Sequence, residues 1–159
     1  MESTNHKNPI RAPIVALDLG RKRVGIAVSD ALSISITRLA ALTRTNWKQM
    51  IRDVDELVRR FDAQTVVIGL PLRLNGSAGD SALEARRVAQ KFAQSLGVPV
   101  YLQDERLSST EAEENLRREG YKRDKISGLV DSEAAAVILR DFLEGSQEKI
   151  LVPASGQTL

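Results

Sequence analysis

Three acidic residues stand where their surroundings give no ordinary reason for a charge. Asp18 interrupts the apolar run Ile14-Val15-Ala16-Leu17-Asp18-Leu19, Glu105 follows Asp104 just past the apolar segment Val98 to Leu102, and Asp131 opens an Ala-rich helical pattern ending near Leu143. A carboxylate inside an apolar strand costs several kcal/mol unless it is paired or metal-bound, and Asp is depleted in strands. Taken singly, Asp104 and Glu105 read as loop residues, and Asp131 reads as an N-cap, a position Asp favours because it complements the helix dipole. In a largely parallel sheet, however, ligands gather at the carboxyl ends of the strands. Asp18 and the Asp104-Glu105 pair are therefore expected on one rim. With Asp131 they form a set of oxygen donors suited to a hard divalent cation.

Composition narrows the chemistry in the same direction. The chain has 159 residues, no cysteine and one histidine, His6, in a polar N-terminal stretch. A disulfide framework, a thiol nucleophile and a Cys/His zinc site are excluded, and a Ser-His-Asp triad is nearly so. Lys and Arg total 23 against 21 Asp and Glu, a formal net charge of +2. Arginine outnumbers lysine 16 to 7, and the planar guanidinium suits bidentate phosphate contacts. The basic run Arg21-Lys22-Arg23 lies beside Asp18. A short charge run is most often a solvated turn, but this position suits phosphate. No apolar run is long enough to span a bilayer, so a soluble intracellular protein without a membrane partner is expected.

The elements that must position these residues follow from periodicity. Ile14 to Leu19 and Val24 to Val28 read as paired strands across a basic turn, with a third strand within Ile34 to Leu42. Trp47, Met50, Ile51, Val54, Leu57, Val58 and Phe61 recur at helical spacing, with Asn46 or Thr45 available as N-cap. Val66-Val67-Ile68 is a buried strand stopped by Gly69-Leu70-Pro71. A helix follows from about Asp80 to Leu96, then a strand over Val98 to Leu102. A helix capped by Ser108 or Ser109 runs to Glu119, and a last one runs from about Asp131 to Leu143. The order β-β-β-α-β-α-β-α-α predicts an α/β domain over 13–145, a mixed five-stranded sheet with helices on both faces. Residues 1–12 and 146–159 read as flexible tails.

Four segments together are similar to the signature blocks of one family. Asp18-Leu19-Gly20-Arg21-Lys22-Arg23-Val24-Gly25-Ile26-Ala27, Gly69-Leu70-Pro71 with Asn75-Gly76, Asp104-Glu105-Arg106-Leu107-Ser108-Ser109, and Val130-Asp131-Ser132-Glu133-Ala134-Ala135-Ala136-Val137-Ile138-Leu139 resemble those of the YqgF (RuvX) family, from about Ile14 to Leu143. The resemblance implies a ribonuclease-H-like fold. It implies a cytoplasmic nuclease known under two descriptions, a Holliday junction resolvase and the enzyme that matures the 5′ end of pre-16S rRNA. It also implies that Asp18, Glu105 and Asp131 are the catalytic, metal-binding acids. The strand ending at Gly69 lacks the acid that many relatives in the wider superfamily carry there, which leaves Asp104 as a substitute for Glu105.

On that basis the expected reaction is phosphodiester hydrolysis assisted by Mg²⁺ or Mn²⁺. Asp18 would bridge two ions and Glu105 and Asp131 would bind one each, while Lys22, Arg23 and Arg106 would hold backbone phosphates. The partner is then nucleic acid, either precursor rRNA or branched DNA, and the expected assembly is a monomer or weak homodimer. Two readings from other classes remain open. An actin-like phosphotransferase shares the Asp-x-Gly hairpin but needs a second lobe. A non-catalytic nucleic-acid-binding module would keep the fold without the chemistry.

Overall fold

The computed structural model describes residues 9–71, 79–105, 114–120, 123–145 and 149–154, with the side chains of 123–131 outside that description. Ile14–Leu19 (β1), Arg23–Ser29 (β2) and Ile36–Thr43 (β3) form an antiparallel meander. Trp47–Arg60 (α1), Thr65–Leu70 (β4), Asp80–Ser95 (α2) and Val100–Asp104 (β5) follow as crossover units, so that β4 runs parallel to both β1 and β5. A helical piece at 114–118 (α3), the long helix Arg123–Glu144 (α4) and the strand Lys149–Leu151 (β6) complete the chain. The sheet order is β3-β2-β1-β4-β5-β6.

Strand alternation divides the core in two. Val15, Leu17, Ile26, Val66, Ile68, Val100 and Leu102 pack against α1 and α2. Ile14, Ala16, Ala27, Val67 and Tyr101 turn the other way, against α4. Because both faces are covered, β1 and β4 read as continuous apolar runs rather than alternating ones. Helix α1 starts as expected: the Asn46 side chain accepts a hydrogen bond from the Gln49 N–H at 2.9 Å.

Helix α4 lies diagonally across its face. Near its middle, the Ser132 hydroxyl donates to the Leu39 carbonyl of β3, and further along the Phe142 ring meets Tyr101 of β5 edge-on, 5.4 Å between centroids. Ala134, Ala135 and Ala136 are fully buried, and their small side chains let the helix backbone lie close to the strands.

Two expectations need correction. The sheet has six strands, not five, because Lys149-Ile150-Leu151, in the segment expected to be a tail, pairs antiparallel with Tyr101, Leu102 and Gln103. Three residues carry too little periodicity to stand out as a strand. The last helix begins at Arg123 rather than Asp131, so Asp131 occupies the helix interior and is not an N-cap. Gly128 lies inside the helix, where a single glycine costs only about 1 kcal/mol. Among the described residues no helix is long and apolar enough to cross a membrane.

Candidate active site

β1 and β4 run side by side, with Leu17 opposite Ile68 as the last paired rung. The next residues along the two strands are Asp18 and Gly69. On its other side Asp18 pairs with Gly25 of β2. All three belong to the α4 face by strand alternation, so Asp18 stands between two strand positions without side chains. The apolar pattern thus breaks at a carboxylate flanked by open space.

Glu105 fills part of that space. Its backbone N–H donates to the Leu70 carbonyl at 3.1 Å, extending the parallel ladder one residue beyond β5. Its side chain leans across β4: a Cβ placed on Gly69 would lie 2.5 Å from the Glu105 Cδ, 2.6 Å from its Oε2 and 2.6 Å from the Ile138 Cδ1 of α4. The strand with no acid of its own therefore receives the carboxylate of its neighbour. Asp104 pairs with Leu70 and by alternation belongs to the opposite, α1/α2 side, away from the Asp18 face.

Asp131 lies on α4 seven residues, about two helical turns, before Ile138; its side chain falls outside the described part. Among the described residues no group of three or more His, Cys, Asp or Glu side chains comes together. The described donors at this rim are the two carboxylates Asp18 and Glu105. Their chemistry suits a hard cation with oxygen ligands and offers nothing to a thiophilic one.

The basic hairpin is held in place by a residue the sequence did not single out. The Gly20 N–H donates to the Arg23 carbonyl at 2.9 Å, the Arg44 N–H to the Lys22 carbonyl at 2.8 Å, and the Arg44 Nη1 to the Gly20 carbonyl at 2.9 Å. Arg21, Lys22 and Arg23 stay exposed beside Asp18. Arg106, expected to join them, lies outside the described residues, as do Asn75-Gly76 and the Ser108-Ser109 cap. Nothing in the local pattern marked Arg44, because its partners are carbonyls of another hairpin and Glu84 of a later helix.

A buried acid was also missed. Glu133 is wholly buried, yet it accepts hydrogen bonds from Arg38 Nη1 (2.8 Å), Arg140 Nη2 (3.2 Å) and Asn115 Nδ2 (3.3 Å). Burial pulls the Arg38 pKa down, but the hydrogen bond and charge of Glu133, helped by Glu119, outweigh it and hold the guanidinium above its ordinary value. With Ser132 on the Leu39 carbonyl, this network fixes the α4 residues that directly follow Asp131 onto β3. Glu133→Gln keeps the shape and removes the charge, and is expected to cost about 2 kcal/mol. Urea unfolding measures it; a loss under about 0.5 kcal/mol, the range of an ordinary surface change, would contradict the role.

Gln103 shows the opposite condition. It is 0 % exposed, lies opposite Gly69 and Lys149 and has neither amide atom hydrogen-bonded. Like Asp18, it is a polar side chain within a buried strand, and that shared signal could have found it. Gln103→Leu is expected to stabilise the protein by about 1 kcal/mol, since removing an unsatisfied buried amide relieves its desolvation penalty. The corresponding rise in Tm is roughly 2–4 °C. A fall in Tm would mean that the amide has a partner worth keeping.

Comparison with known proteins gives a consistent result. A family described as "RuvX: Holliday junction resolvase" matches residues 12–145. A protein of Syntrophus aciditrophicus named "Putative pre-16S rRNA nuclease" is 41% identical over 138 residues, 86% of this chain and 92% of that one. A Picosynechococcus protein of the same name is 37% identical over 137 residues, 85% and 95% of the two chains. Among solved structures, Thermus thermophilus RuvC in complex with a Holliday junction substrate covers 87% of this chain at a TM-score of 0.51 and 17% identity, with 100% of its own chain matched. The fowlpox virus Holliday junction resolvase covers 84% at 0.53 and 16%, with 99% matched. These two likenesses establish the ribonuclease-H-like fold.

Proposed function

This chain belongs to the RuvX family, and from that premise we propose that it is a divalent-metal-dependent nuclease whose substrate is the 5′ end of pre-16S rRNA in ribosome biogenesis. The observation that carries the reading is the Glu105 carboxylate lying over Gly69, on the face and at the rung of Asp18. Relatives at 34–41% identity bear the rRNA nuclease name, which supports RNA as the substrate.

Asp18, Glu105 and Asp131 are the residues that would hold Mg²⁺ or Mn²⁺, which when bound makes water a better nucleophile and neutralises charge on the leaving oxygen. The chain's own residues do the rest. Gly69 leaves room for the Glu105 carboxylate to lie beside the strand position next to Asp18. Lys22 and Arg23, exposed on the adjoining turn, attract the phosphates on either side and set the register of the strand without reading its sequence. Arg106, directly after Glu105, is placed by the sequence to add a third cation.

Junction DNA is the second reading. It is favoured by the family description and by the resolvase fold of the structural neighbours. The deciding experiment presents the purified protein with a pre-16S 5′-leader RNA and a synthetic four-way DNA junction, each with Mn²⁺ and with EDTA. Mn²⁺-dependent cleavage of the RNA alone is the expected result. Cleavage of the junction alone would replace it with the second reading, and EDTA-resistant cleavage would remove the metal.

A further inference from the structure

The single tryptophan of the chain is not in the core. Trp47, the first residue of α1, is 41 % exposed. The ammonium of Lys91 on α2 lies 4.0 Å from its ring centroid, and that of Lys48 lies 5.6 Å away. Three residues earlier, Arg44 bonds the Gly20 and Lys22 carbonyls and forms an ion pair with Glu84 of α2. Glu84 and Lys91 are seven residues apart, on one stripe of α2. The Arg44–Trp47 segment therefore runs alongside that helix for about 10 Å. At its upper end a small cavity lined by Leu19, Arg21, Arg44, Ser81, Glu84 and Ala85 opens where β1 ends, one residue past Asp18.

We propose that this ledge, formed by Arg21, Arg44, Trp47, Lys48 and Lys91, carries a single-stranded stretch of nucleic acid away from the carboxylate rim, with one base stacked on Trp47. The inference rests on the nuclease reading and names the path of its substrate. An exposed indole bordered by cations is the combination that holds unpaired nucleic acid, because every base has a face to stack and every linkage a charge to neutralise. A duplex has no unstacked base to offer. Glu84 is the acid on the ledge, and its carboxylate holds Arg44. An arriving phosphate takes over that guanidinium, so Glu84 opposes binding.

Because Trp47 is the only tryptophan, indole emission of the full-length protein, excited beyond the tyrosine absorption band, reports on this site alone. In EDTA, which prevents turnover, the protein is titrated with a short oligouridylate RNA, the DNA of matching sequence and a duplex of the same length. Anisotropy of labelled oligonucleotide supplies an independent affinity. Saturable quenching by single strands, weakening of about tenfold in Trp47→Leu, a smaller loss in Lys91→Gln and tighter binding by Glu84→Gln are the expected results. The RNA and DNA arms show which backbone is preferred. If Trp47→Leu is misfolded by circular dichroism, wild-type quenching and the two α2 variants still decide. Oligonucleotide binding with unchanged emission and with Lys91→Gln and Glu84→Gln at wild-type affinity would overturn the ledge while leaving the nuclease reading intact. Quenching by the duplex alone would overturn the single-strand assignment. Binding of no nucleic acid at all would remove both the ledge and the reading beneath it.

Discussion

Asp18→Asn is expected to lower metal-dependent cleavage by roughly a thousandfold or more while leaving the protein folded. The substitution keeps the size of the side chain and removes the charge that a divalent cation requires. Metal assistance supplies several kcal/mol of charge stabilisation, and each 1.36 kcal/mol is tenfold in rate. Stability should hold, because Asp18 is only part-buried and the amide keeps the shape of the side chain. Cleavage rates at saturating Mn²⁺, with Tm measured on the same preparation, separate the two effects. An active Asp18→Asn protein would sink the metal-site proposal. A variant that fails to fold would instead make Asp18 a structural acid.

Gly69→Ala tests the geometry rather than the charge. The added methyl would stand 2.5 Å from the Glu105 Cδ and 2.6 Å from the Ile138 Cδ1, closer than carbon atoms can pack. Glu105 is a long side chain that can swing away at small cost, but swinging away removes the second carboxylate from the rim. Ile138 is wedged in the α4 core and yields less readily. Overpacking of this kind costs about 1–3 kcal/mol, and a misplacement near 1 Å at a reacting centre costs about a hundredfold in rate. Cleavage is expected to fall about a hundredfold with a moderate drop in Tm. Adding Ile138→Val relieves the apolar half of the clash only, so the double variant should regain Tm and stay inactive. Recovery of both would show that α4, not Glu105, carries the effect.

These two residues also mark how far the sequence could be read. Asp18 was legible because a charge within an apolar strand violates the strongest local rule there is, and the first five strands and first two helices followed from the same periodicity. That Glu105 rather than Asp104 joins Asp18 on its face was not decided by the residues alone. It depends on the parity of β5 and on one further ladder bond to Leu70, and adjacent acids at a strand end leave that parity open. The gap at Gly69 was visible only as a missing acid. What occupies it comes from a residue 36 positions later, beyond any local pattern. Glu133 and Arg38 were hidden for the same reason, since their pairing spans 95 residues and each alone looks like a solvated charge. The start of α4 was misjudged because packing against β3 through Ser132 and Glu133 supports a helix that propensity around Gly128 would not.

Helix α4 has a consequence for motion. It touches β3 through Ser132 and Glu133, β4 through Ile138 and β5 through Phe142, so it braces the sheet across its width. Residues 134–139 and Phe142 are at most 1 % exposed, and their amides are expected to exchange with solvent only when the whole domain opens. Among the described residues, the α4 part of the face that holds Asp18 and Glu105 then has no cheap partial unfolding of its own. Accommodation to a bulky polymer is expected instead from the side of α1 and α2, with the backbone that carries Asp18 as the fixed point.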